Sequence, residues 1–327
     1  MCTAITYQTN DHYFGRNLDY EITFGECVVL TPRRFPLTYK CMSDIGERDH
    51  YAMLGMALVE DEYPLYFDAV NEKGLAMAGL HFVGNAYYVE VDSLNRERTD
   101  EQSDCDTADI APYELIPWVL SRCGNVGQAR ELLLQTRLVA VPFNDRLPLS
   151  PLHFMIADKE HAIVVEPMRS GLKIYDNPVG VLTNNPPFPF HLANLNNYMN
   201  LTPDIPDNRF SQQLPLEIYS RGMGAIGLPG DMSSMSRFVR AAFVRANSLS
   251  DPDEDASVNQ FFHILGSVEQ IRGCVRLEKE AYEITTYSSC CNLDRGIYYY
   301  RTYENSTVQK ADMREMDLEG EKPIKIQ

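Results

Sequence analysis

Short apolar runs separated by turn residues fill the first third of the chain, and they constrain the fold more than any other feature. Residues 3–7 and 13–18 are two such runs, and Asn10-Asp11-His12 between them is a good hairpin turn. Further runs occupy residues 27–30, 53–59, 66–70 and 75–82, and the turn at 71–74 separates the last two. This pattern predicts consecutive strands joined by hairpins.

Helical periodicity begins after the first third of the chain, and the predicted helices occur in consecutive pairs. Helices are predicted at 111–122, 126–134, 236–246 and 258–268, and strands at 152–157, 162–166, 282–287 and 296–303. Runs of strands alternate with runs of helices, which indicates antiparallel sheets covered by helices. Residues 92–109 are polar and acidic without periodicity, so we expect an exposed loop there. No repeat, linker or composition break divides residues 1–327, so we expect a single domain.

Charge and cysteine usage exclude several classes of protein. The formal net charge of -17 over 327 residues argues against nucleic-acid partners and anionic membrane surfaces, and it means that an anionic substrate needs local arginines. No apolar stretch approaches the roughly 20 residues of a membrane span, and no export signal is visible. The eight cysteines contain no Cys-x-x-Cys pair, so a metal site is not expected. We expect reduced thiols and a cytoplasmic location.

Cys2 directly follows the initiator Met1. Cysteine is small enough for Met1 to be removed, which would leave one residue with both a thiol and a free α-amine. An α-amine has a reference pKa of about 7.7–8.0, so it can act as a general base at neutral pH beside the thiol as nucleophile. Taken alone, a small apolar cysteine that begins a strand is the simpler interpretation.

Charged residues lie on the second predicted strand, which would pair with the strand that begins at Cys2. Alternation puts Asn17 and Asp19 on one face and Arg16 and Leu18 on the other. Charges in a buried strand are costly unless they are paired. Either this is a surface strand with an ordinary ion pair, or Asp19 holds the N-terminal amine while Arg16 favours the thiolate.

Two later positions combine polar side chains with an unusual context. Asn184 ends an apolar run in Asn184-Asn185-Pro186-Pro187, which is typical of a turn, yet an asparagine amide is also a good oxyanion donor. Arg237 opens a predicted helix, where a positive charge opposes the helix dipole, so a carboxylate or a substrate is expected to justify it.

Gly222-Met223-Gly224-Ala225-Ile226-Gly227 matches the dinucleotide fingerprint G-x-G-x-x-G. Its context contradicts a nucleotide site, because Pro229-Gly230-Asp231 follows where a helix should run, and no acidic residue ends a second strand about 20 residues further on. A flexible glycine-rich loop is the preferred interpretation.

Several motifs in this order resemble the bile salt hydrolases of the choloylglycine hydrolase family, which also contains the penicillin V acylases. The resemblance spans nearly the whole chain. It rests on the start at Met1, the run Tyr13-Phe14-Gly15-Arg16-Asn17-Leu18-Asp19-Tyr20, the segment Asn71-Glu72-Lys73-Gly74-Leu75, and the segments at 181–186, 227–231 and 296–300.

The resemblance implies an α+β fold, the N-terminal nucleophile hydrolase fold, which is a four-layer αββα sandwich of antiparallel sheets and commonly forms a homotetramer. It implies that Cys2 is nucleophile and base, that Arg16 and Asp19 support it, that Asn184 donates to the oxyanion, and that Arg237 organises the site. No cofactor or metal is implied. The implied reaction is cleavage of glycine- or taurine-conjugated bile acids, with possible acyl transfer to other amines.

One position departs from the family pattern. Bile salt hydrolases usually carry Asn in Gly-Leu-Asn-Phe, and penicillin V acylases tend to carry Tyr, whereas this chain has Gly79-Leu80-His81-Phe82. The second oxyanion donor of the family is the backbone N–H at this position, so the chemistry is expected to survive. His81 affects the expected substrate preference and pH dependence, because imidazole ordinarily titrates near 6.5.

A rigid steroid needs an apolar slot, for which the candidates are Leu18, Phe67, Leu138, Val141 and Phe143, although each could equally be plain core. Arg221, in Ser220-Arg221-Gly222, is a candidate for binding the taurine sulfonate, or else an ordinary solvated charge. Three alternatives remain open: a penicillin V acylase, a Cys–His enzyme that uses His153 or His191 as base, and an inactive ligand-binding relative.

Overall fold

The computed structural model describes residues 1–42, 49–90 and 107–326. Sixteen strands lie in these ranges: β1 (Cys2–Gln8), β2 (His12–Tyr20), β3 (Cys27–Thr31), β4 (Met53–Glu60), β5 (Tyr63–Asn71), β6 (Ala76–His81), β7 (Ala108–Ile110), β8 (Thr136–Leu138), β9 (Leu152–Ala157), β10 (Ala162–Met168), β11 (Gly171–Asp176), β12 (Val181–Leu182), β13 (Ile284–Asn292), β14 (Ile297–Thr302), β15 (Gln309–Asp312) and β16 (Ile324–Ile326).

The strands form two large sheets. A six-stranded sheet has the order β12-β1-β2-β13-β14-β15, and an eight-stranded sheet has the order β11-β10-β9-β6-β5-β4-β3-β16. Neighbouring strands in both sheets are antiparallel. Short β7 and β8 pair in parallel apart from them. The predicted class of antiparallel sheets is therefore confirmed.

Five α-helices accompany the sheets: α1 (Leu115–Arg122), α2 (Val126–Leu134), α3 (Phe188–Leu195), α4 (Ser234–Asn247) and α5 (Glu254–Gly266). Short 3-10 turns occur at Pro112–Glu114, Asn196–Tyr198, Met223–Ala225, Glu278–Glu280 and Met313–Glu315. Helices α1 and α2 share a core with the outer face of the eight-stranded sheet. Helices α4 and α5 pack on the other sheet, and apolar residues from both sheets fill the space between them. The layers are thus the expected αββα.

The central strands of the six-stranded sheet are buried on both faces, because the second sheet covers one face and helices cover the other. All nine residues of β13 are buried, as are the seven from Tyr13 to Asp19 in β2. Gly15 makes the close pairing of these two strands possible, since a Cβ atom there would lie 2.0 Å from the carbonyl oxygen of Ser289. Any polar side chain on β2 is therefore forced to find a partner.

Most predicted elements are present, with shifted ends. The helix predicted at 236–246 begins two residues earlier, at Ser234, because the Ser233 hydroxyl caps it by accepting a hydrogen bond from the Ser236 amide. The helix predicted at 258–268 begins four residues earlier, at Glu254, because Asp253 caps it. The exposed loop predicted at 92–109 lies mostly outside the described residues. The prediction is wrong for its last two positions, because strand β7 begins at Ala108.

Candidate active site

The β1–β2 hairpin brings the first predicted residues together. Cys2 lies directly opposite Leu18, and Ala4 lies opposite Arg16, so these side chains share the face that looks towards the eight-stranded sheet. Asn17 lies on the other face, where its amide donates to the carbonyl of Leu265 in α5 at 3.0 Å. The predicted alternation along β2 is confirmed.

Arg16 crosses the space between the two sheets and reaches the thiol. Its Nη2 lies 2.6 Å from Sγ of Cys2, while Nη1 donates to the carbonyls of Phe67 at 3.1 Å and Gly79 at 2.5 Å. Burial lowers the pKa of Arg16, but its electrostatic interactions with Cys2, Tyr287 and Asp68 outweigh this effect, so the net direction is upward. A permanently charged guanidinium beside Sγ stabilises a thiolate.

Asn184 and Arg237 hold the main chain of Cys2. The Cys2 amide donates to Oδ1 of Asn184 at 2.8 Å, and Nη2 of Arg237 donates to the same oxygen at 2.7 Å. Nη1 of Arg237 donates to the Cys2 carbonyl and to Oγ1 of Thr3, each at 2.6 Å. These hydrogen bonds explain why an arginine occupies the first turn of α4. Its side chain is fully buried and holds the start of β1 in position.

Two N–H donors face the same region near Cys2. Nδ2 of Asn184 donates one hydrogen to the His81 carbonyl at 2.8 Å and keeps a second. The backbone N–H of Phe82 donates to the carbonyl of Pro151, next to β9. Because the N–H groups of successive residues in a strand point to opposite sides, the N–H of His81 points away from β9, to the side that holds Asn184. The pair has the composition of an oxyanion hole.

Asp19 lies on the helix-facing side of β2, and only one of its two carboxylate oxygens accepts a hydrogen bond from the described residues. Its Oδ1 accepts from Oγ1 of Thr285 at 2.6 Å, but the buried Oδ2 has no hydrogen-bond partner among the described residues and lies 3.7 Å from Nη1 of Arg237. A buried carboxylate oxygen without a donor calls for an explanation, and an additional cation beside it would provide one.

Met1 extends the ladder of β1 by one residue. The Met1 ammonium donates to the Asp19 carbonyl at 2.7 Å and forms an ion pair with Glu283, while the Asp19 amide donates to the Met1 carbonyl at 2.9 Å. Burial lowers the pKa of this ammonium, although the charges of Cys2 and Asp19 oppose the effect. With Met1 attached, the nitrogen of Cys2 is an amide and cannot act as a base.

A cavity of about 470 Å³ opens at Cys2. Its lining is mostly apolar and includes three of the predicted pocket residues, Leu18, Phe67 and Phe143. Two predicted pocket residues do not line it. Leu138 is buried in the core beside α1 and α2, and Val141 lies next to the lining residue Pro142 without joining it.

The sequence did not single out several cavity residues. Tyr20 follows Leu18 on the same face of β2, so alternation could have identified it. The remaining lining residues are Ile22, Phe24, Leu58, Leu65, Tyr66, Gly79, His81, Pro112, Tyr113, Pro142, Arg146, Leu147, Pro148, Leu149, Ser150 and Leu152. Those from 142 to 150 belong to an irregular segment, which carries no periodic signal.

The imidazole of His81 lines the cavity beside Cys2, and its ring lies 5.5 Å from that of Tyr20. Burial, reinforced by the N-terminal ammonium and by Arg16, lowers the pKa of His81 to about 4. The expectation of an imidazole that titrates near 6.5 therefore does not hold here, and the side chain is neutral at physiological pH.

The other sequence candidates lie outside this cluster. Arg221 is exposed and does not line the cavity. Gly222 and Gly227 adopt φ angles of 76° and 99° on either side of the 3-10 turn at Met223–Ala225, so this segment lacks the strand-to-helix geometry of a nucleotide site.

The two histidines of the alternative Cys–His mechanism are buried supports. His153 donates from Nε2 to the Thr183 carbonyl at 3.0 Å, and His191 donates from Nε2 to the Asn184 carbonyl at 3.0 Å. Neither forms a hydrogen bond with a cysteine in the described part of the chain. They fix the segment that carries the Asn184 amide.

The described residues contain no feature of a metal site, a disulfide or a membrane span. No group of three or more His, Cys, Asp or Glu side chains with metal-binding geometry occurs within the described ranges. The seven cysteines that the structure describes are all free thiols. No described helix is long and apolar enough to cross a membrane.

Comparison with known proteins gives one consistent family. A family model of linear amide C–N hydrolases, the choloylglycine hydrolase family, matches residues 2–326. A bile salt hydrolase/transferase of Lactiplantibacillus plantarum is 51% identical over 319 residues, which cover 98% of this chain and 94% of the relative.

Solved structures agree with that match. A crystal structure of a conjugated bile acid hydrolase variant from Clostridium perfringens has a TM-score of 0.88 and 36% identity, covering 100% of this chain and 97% of that one. The penicillin V acylase of Agrobacterium tumefaciens has a TM-score of 0.74 at 19% identity, covering 98% and 90% of the two chains, and it supports the fold alone.

Proposed function

The chain belongs to the choloylglycine hydrolase family of linear amide C–N hydrolases, and we propose that it cleaves glycine- and taurine-conjugated bile acids with Cys2 as the nucleophile. One observation carries the proposal: the Cys2 thiol lies at an apolar cavity of about 470 Å³, with the Arg16 guanidinium 2.6 Å from its sulfur. The relative from L. plantarum is named for bile salts and for hydrolase and transferase activity.

The proposed reaction requires removal of Met1. The nitrogen of Cys2 then becomes a primary amine held by Oδ1 of Asn184, which already accepts from it at 2.8 Å. Oδ2 of buried Asp19, which accepts no hydrogen bond from a described residue, is the expected counter-charge for the protonated form of this amine. The amine is the general base and acid, and Sγ is the nucleophile.

In the first step the thiolate attacks the amide carbonyl carbon, and the carbonyl oxygen takes up negative charge. The free hydrogen on Nδ2 of Asn184 and the N–H of His81 stabilise this oxyanion. The α-ammonium of Cys2 protonates the leaving nitrogen, the C–N bond breaks, and glycine or taurine departs. The steroid acyl group remains attached to Sγ as a thioester.

In the second step the neutral α-amine takes a proton from water, and the hydroxide attacks the thioester. The C–S bond breaks, and the bile acid and the Cys2 thiolate are released. Another amine in place of water would give a new amide, which is the acyl transfer that the name of the relative includes. The apolar side chains of Leu18, Phe67 and Phe143 are proposed to contact the steroid.

We further propose that the protein is a homotetramer in the cytoplasm. Seven free cysteines in the described residues suit a reducing compartment. A segment with exposed apolar side chains supports self-association, because monomers rarely expose such a patch. Those side chains are Met199, Ile205, Phe210, Leu214, Leu216, Ile218, Tyr219 and Ile226. Static light scattering of the purified protein measures the number of copies directly.

The decisive experiment combines intact mass with parallel turnover. Mass spectrometry reports whether Met1 is absent, and the same sample is assayed on glycocholate, taurocholate and penicillin V. We expect a processed chain that hydrolyses both bile salts faster than penicillin V, and a folded Cys2→Ala variant without turnover. Faster turnover of penicillin V, full activity in Cys2→Ala, or activity in a chain that retains Met1 would contradict the proposal.

A further inference from the structure

The place of Met1 is a built site rather than a loose chain end. Its main chain exchanges both ladder hydrogen bonds with Asp19, at 2.7 and 2.9 Å. Its ammonium also pairs with Glu283, whose side chain is only 6% exposed. The Met1 side chain itself is 29% exposed, so most of it is covered by protein. Every polar atom of this residue therefore has a specific partner.

Removal of Met1, on which the proposed function depends, leaves those partners behind. The Asp19 carbonyl loses its donor, and the Asp19 amide loses its acceptor. Glu283, a nearly buried carboxylate, loses its cation, and a buried charge without a partner is strongly unfavourable. The new α-amine of Cys2 adds a positive charge on the other side of the vacated space. The Asp19 carbonyl and Glu283 can therefore accept hydrogen bonds from an ammonium, and the Asp19 amide and the Cys2 α-ammonium can donate hydrogen bonds to a carboxylate.

We propose that this vacated place is a binding site for a free L-α-amino acid, with L-methionine as the best fit. An α-amino acid has the same N–Cα–C–O framework as the lost residue. Its ammonium takes the two partners of the Met1 nitrogen, namely Glu283 and the Asp19 carbonyl. One carboxylate oxygen accepts from the Asp19 amide, and the other pairs with the α-ammonium of Cys2. Charge-assisted hydrogen bonds of this kind are the strong ones.

The geometry also limits the ligand. Met1 lies opposite Asp19 in the ladder, so its side chain points to the helix-facing side of the sheet, as that of Asp19 does. An L-amino acid bound through these four contacts lies further from Cys2 than Met1 did, because no peptide bond joins them, and its side chain points towards the space that the Met1 side chain left. A D-amino acid cannot keep the four contacts and use that space, and taurine, with one more carbon between its charges, does not match the ladder spacing.

Occupancy has a consequence for the reaction. A carboxylate beside the α-amine of Cys2 stabilises the protonated ammonium, which cannot accept a proton from water. Free L-amino acids therefore inhibit hydrolysis. They bind on the side of Cys2 opposite to the steroid cavity, since Met1 is not part of the cavity lining. Such inhibition is not relieved by more bile salt.

The first test needs no variant. Inhibition of taurocholate hydrolysis is measured with L-methionine, D-methionine and 3-(methylthio)propylamine, which lacks the carboxylate. We expect L-methionine to inhibit about 10–100-fold more strongly than either, since a hydrogen bond to a charged group contributes about 1.5–3 kcal/mol. Equal inhibition by L- and D-methionine overturns the site.

The second test uses Glu283→Gln, with Glu278→Gln as the matched control because Glu278 is exposed nearby in the chain. Each variant's inhibition is normalised to its own uninhibited rate. Glu283→Gln should raise the inhibition constant of L-methionine at least about tenfold, and Glu278→Gln should leave it unchanged. An unchanged constant in Glu283→Gln overturns the site.

These tests separate the two proposals. Absence of bile salt hydrolysis in the wild-type protein, or turnover by a chain whose mass shows Met1, refutes the proposed function. Normal hydrolysis by a processed chain without stereoselective inhibition refutes only the amino-acid site.

Discussion

Arg16 and Cys2 meet across the inner face of the six-stranded sheet, with Nη2 of the arginine 2.6 Å from Sγ of the cysteine. The contact depends on the second sheet, because the carbonyls of Phe67 and Gly79 hold the other end of the guanidinium. The proposed nucleophile is therefore positioned by the packing of two sheets and not by its hairpin alone. Positioning of Cys2 therefore depends on the planar shape of the guanidinium as well as on its positive charge.

Arg16→Lys is predicted to impair acylation even though it keeps the charge. An ammonium cannot donate to Sγ, Phe67 and Gly79 at the positions of a planar guanidinium. Loss of one hydrogen bond to a charged group is worth about 1.5–3 kcal/mol, or roughly a 10–100-fold fall in kcat/KM for taurocholate. Thermal denaturation of the same sample shows whether the fold persists. Wild-type kcat/KM in a folded Arg16→Lys protein would contradict the prediction.

Two separable roles are proposed for Asn184, and two substitutions distinguish them. Asn184→Ala removes both Nδ2, the predicted oxyanion donor, and Oδ1, which holds the Cys2 nitrogen and Arg237. Asn184→Asp keeps an oxygen for those contacts but has no N–H to donate. Loss of one oxyanion donor typically costs about 10²–10³ in kcat. We expect both variants to lose at least that much kcat. An active Asn184→Asp would make Asn184 a positioning residue only.

His81→Asn is predicted to stay active with an unchanged pH profile. The proposed oxyanion donor at this position is a backbone N–H, which the substitution retains. The pKa of His81 is lowered to about 4 by burial, so the imidazole is neutral above that pH and gains its proton only as the pH falls through about 4. The shape of kcat/KM against pH between 5 and 8 should therefore match in the two proteins. A limb near pH 6.5 present only in the wild type would contradict this.

The sequence was sufficient for the parts of the site that depend on local alternation. Arg16 and Asp19 fall on opposite faces of β2 because a strand alternates, whatever packs against it. The same logic fails for Leu138, since an apolar residue on a short strand looks alike whether it faces a cavity or a core. Glu283 meets Met1 across 282 positions of the chain, and nothing local in either segment predicts such a contact.

Irregular segments account for the remaining differences. Helix α3 follows Asn184-Asn185-Pro186-Pro187, where two prolines predict a turn, and Pro187 is in fact its N-cap residue. The cavity wall from Pro142 to Ser150 has no repeating pattern, so no periodic analysis could assign it. Such segments take their positions from tertiary packing.

Arg221→Ala tests whether Arg221 binds the sulfonate of taurine conjugates. Arg221 is exposed and outside the cavity of its own chain, within the exposed apolar segment that is proposed to associate with another copy. A sulfonate is anionic at all relevant pH values, and arginine offers it several donors. We expect kcat/KM to fall more for taurocholate than for glycocholate, mainly through KM. Equal losses on both substrates, or no loss, would show that Arg221 does not recognise the conjugate.

Asp68 is the buried anion behind Arg16, and its removal is predicted to destabilise the fold. It accepts hydrogen bonds from Tyr298 at 2.8 Å, from Ser289 at 2.9 Å and from Tyr287, and all of these groups are buried between the sheets. Its negative charge also raises the pKa of Arg16. Asp68 thus links two strands of the six-stranded sheet, β13 and β14, to the guanidinium that reaches Cys2.

Asp68→Ala leaves three buried hydroxyl groups without an acceptor and removes one of the negative charges near Arg16. Breaking a buried charged network by removing one partner costs about 3–5 kcal/mol of unfolding free energy. Asp68→Asn keeps one acceptor oxygen and the shape of the side chain, so its loss should be smaller, about 1–3 kcal/mol. Asp176→Ala, which removes an exposed carboxylate paired with Arg130, is the control and should stay within about 0.5 kcal/mol of the wild type. Urea denaturation measures all three, and an Asp68→Ala protein as stable as the control would show that the network does not hold the sheets together.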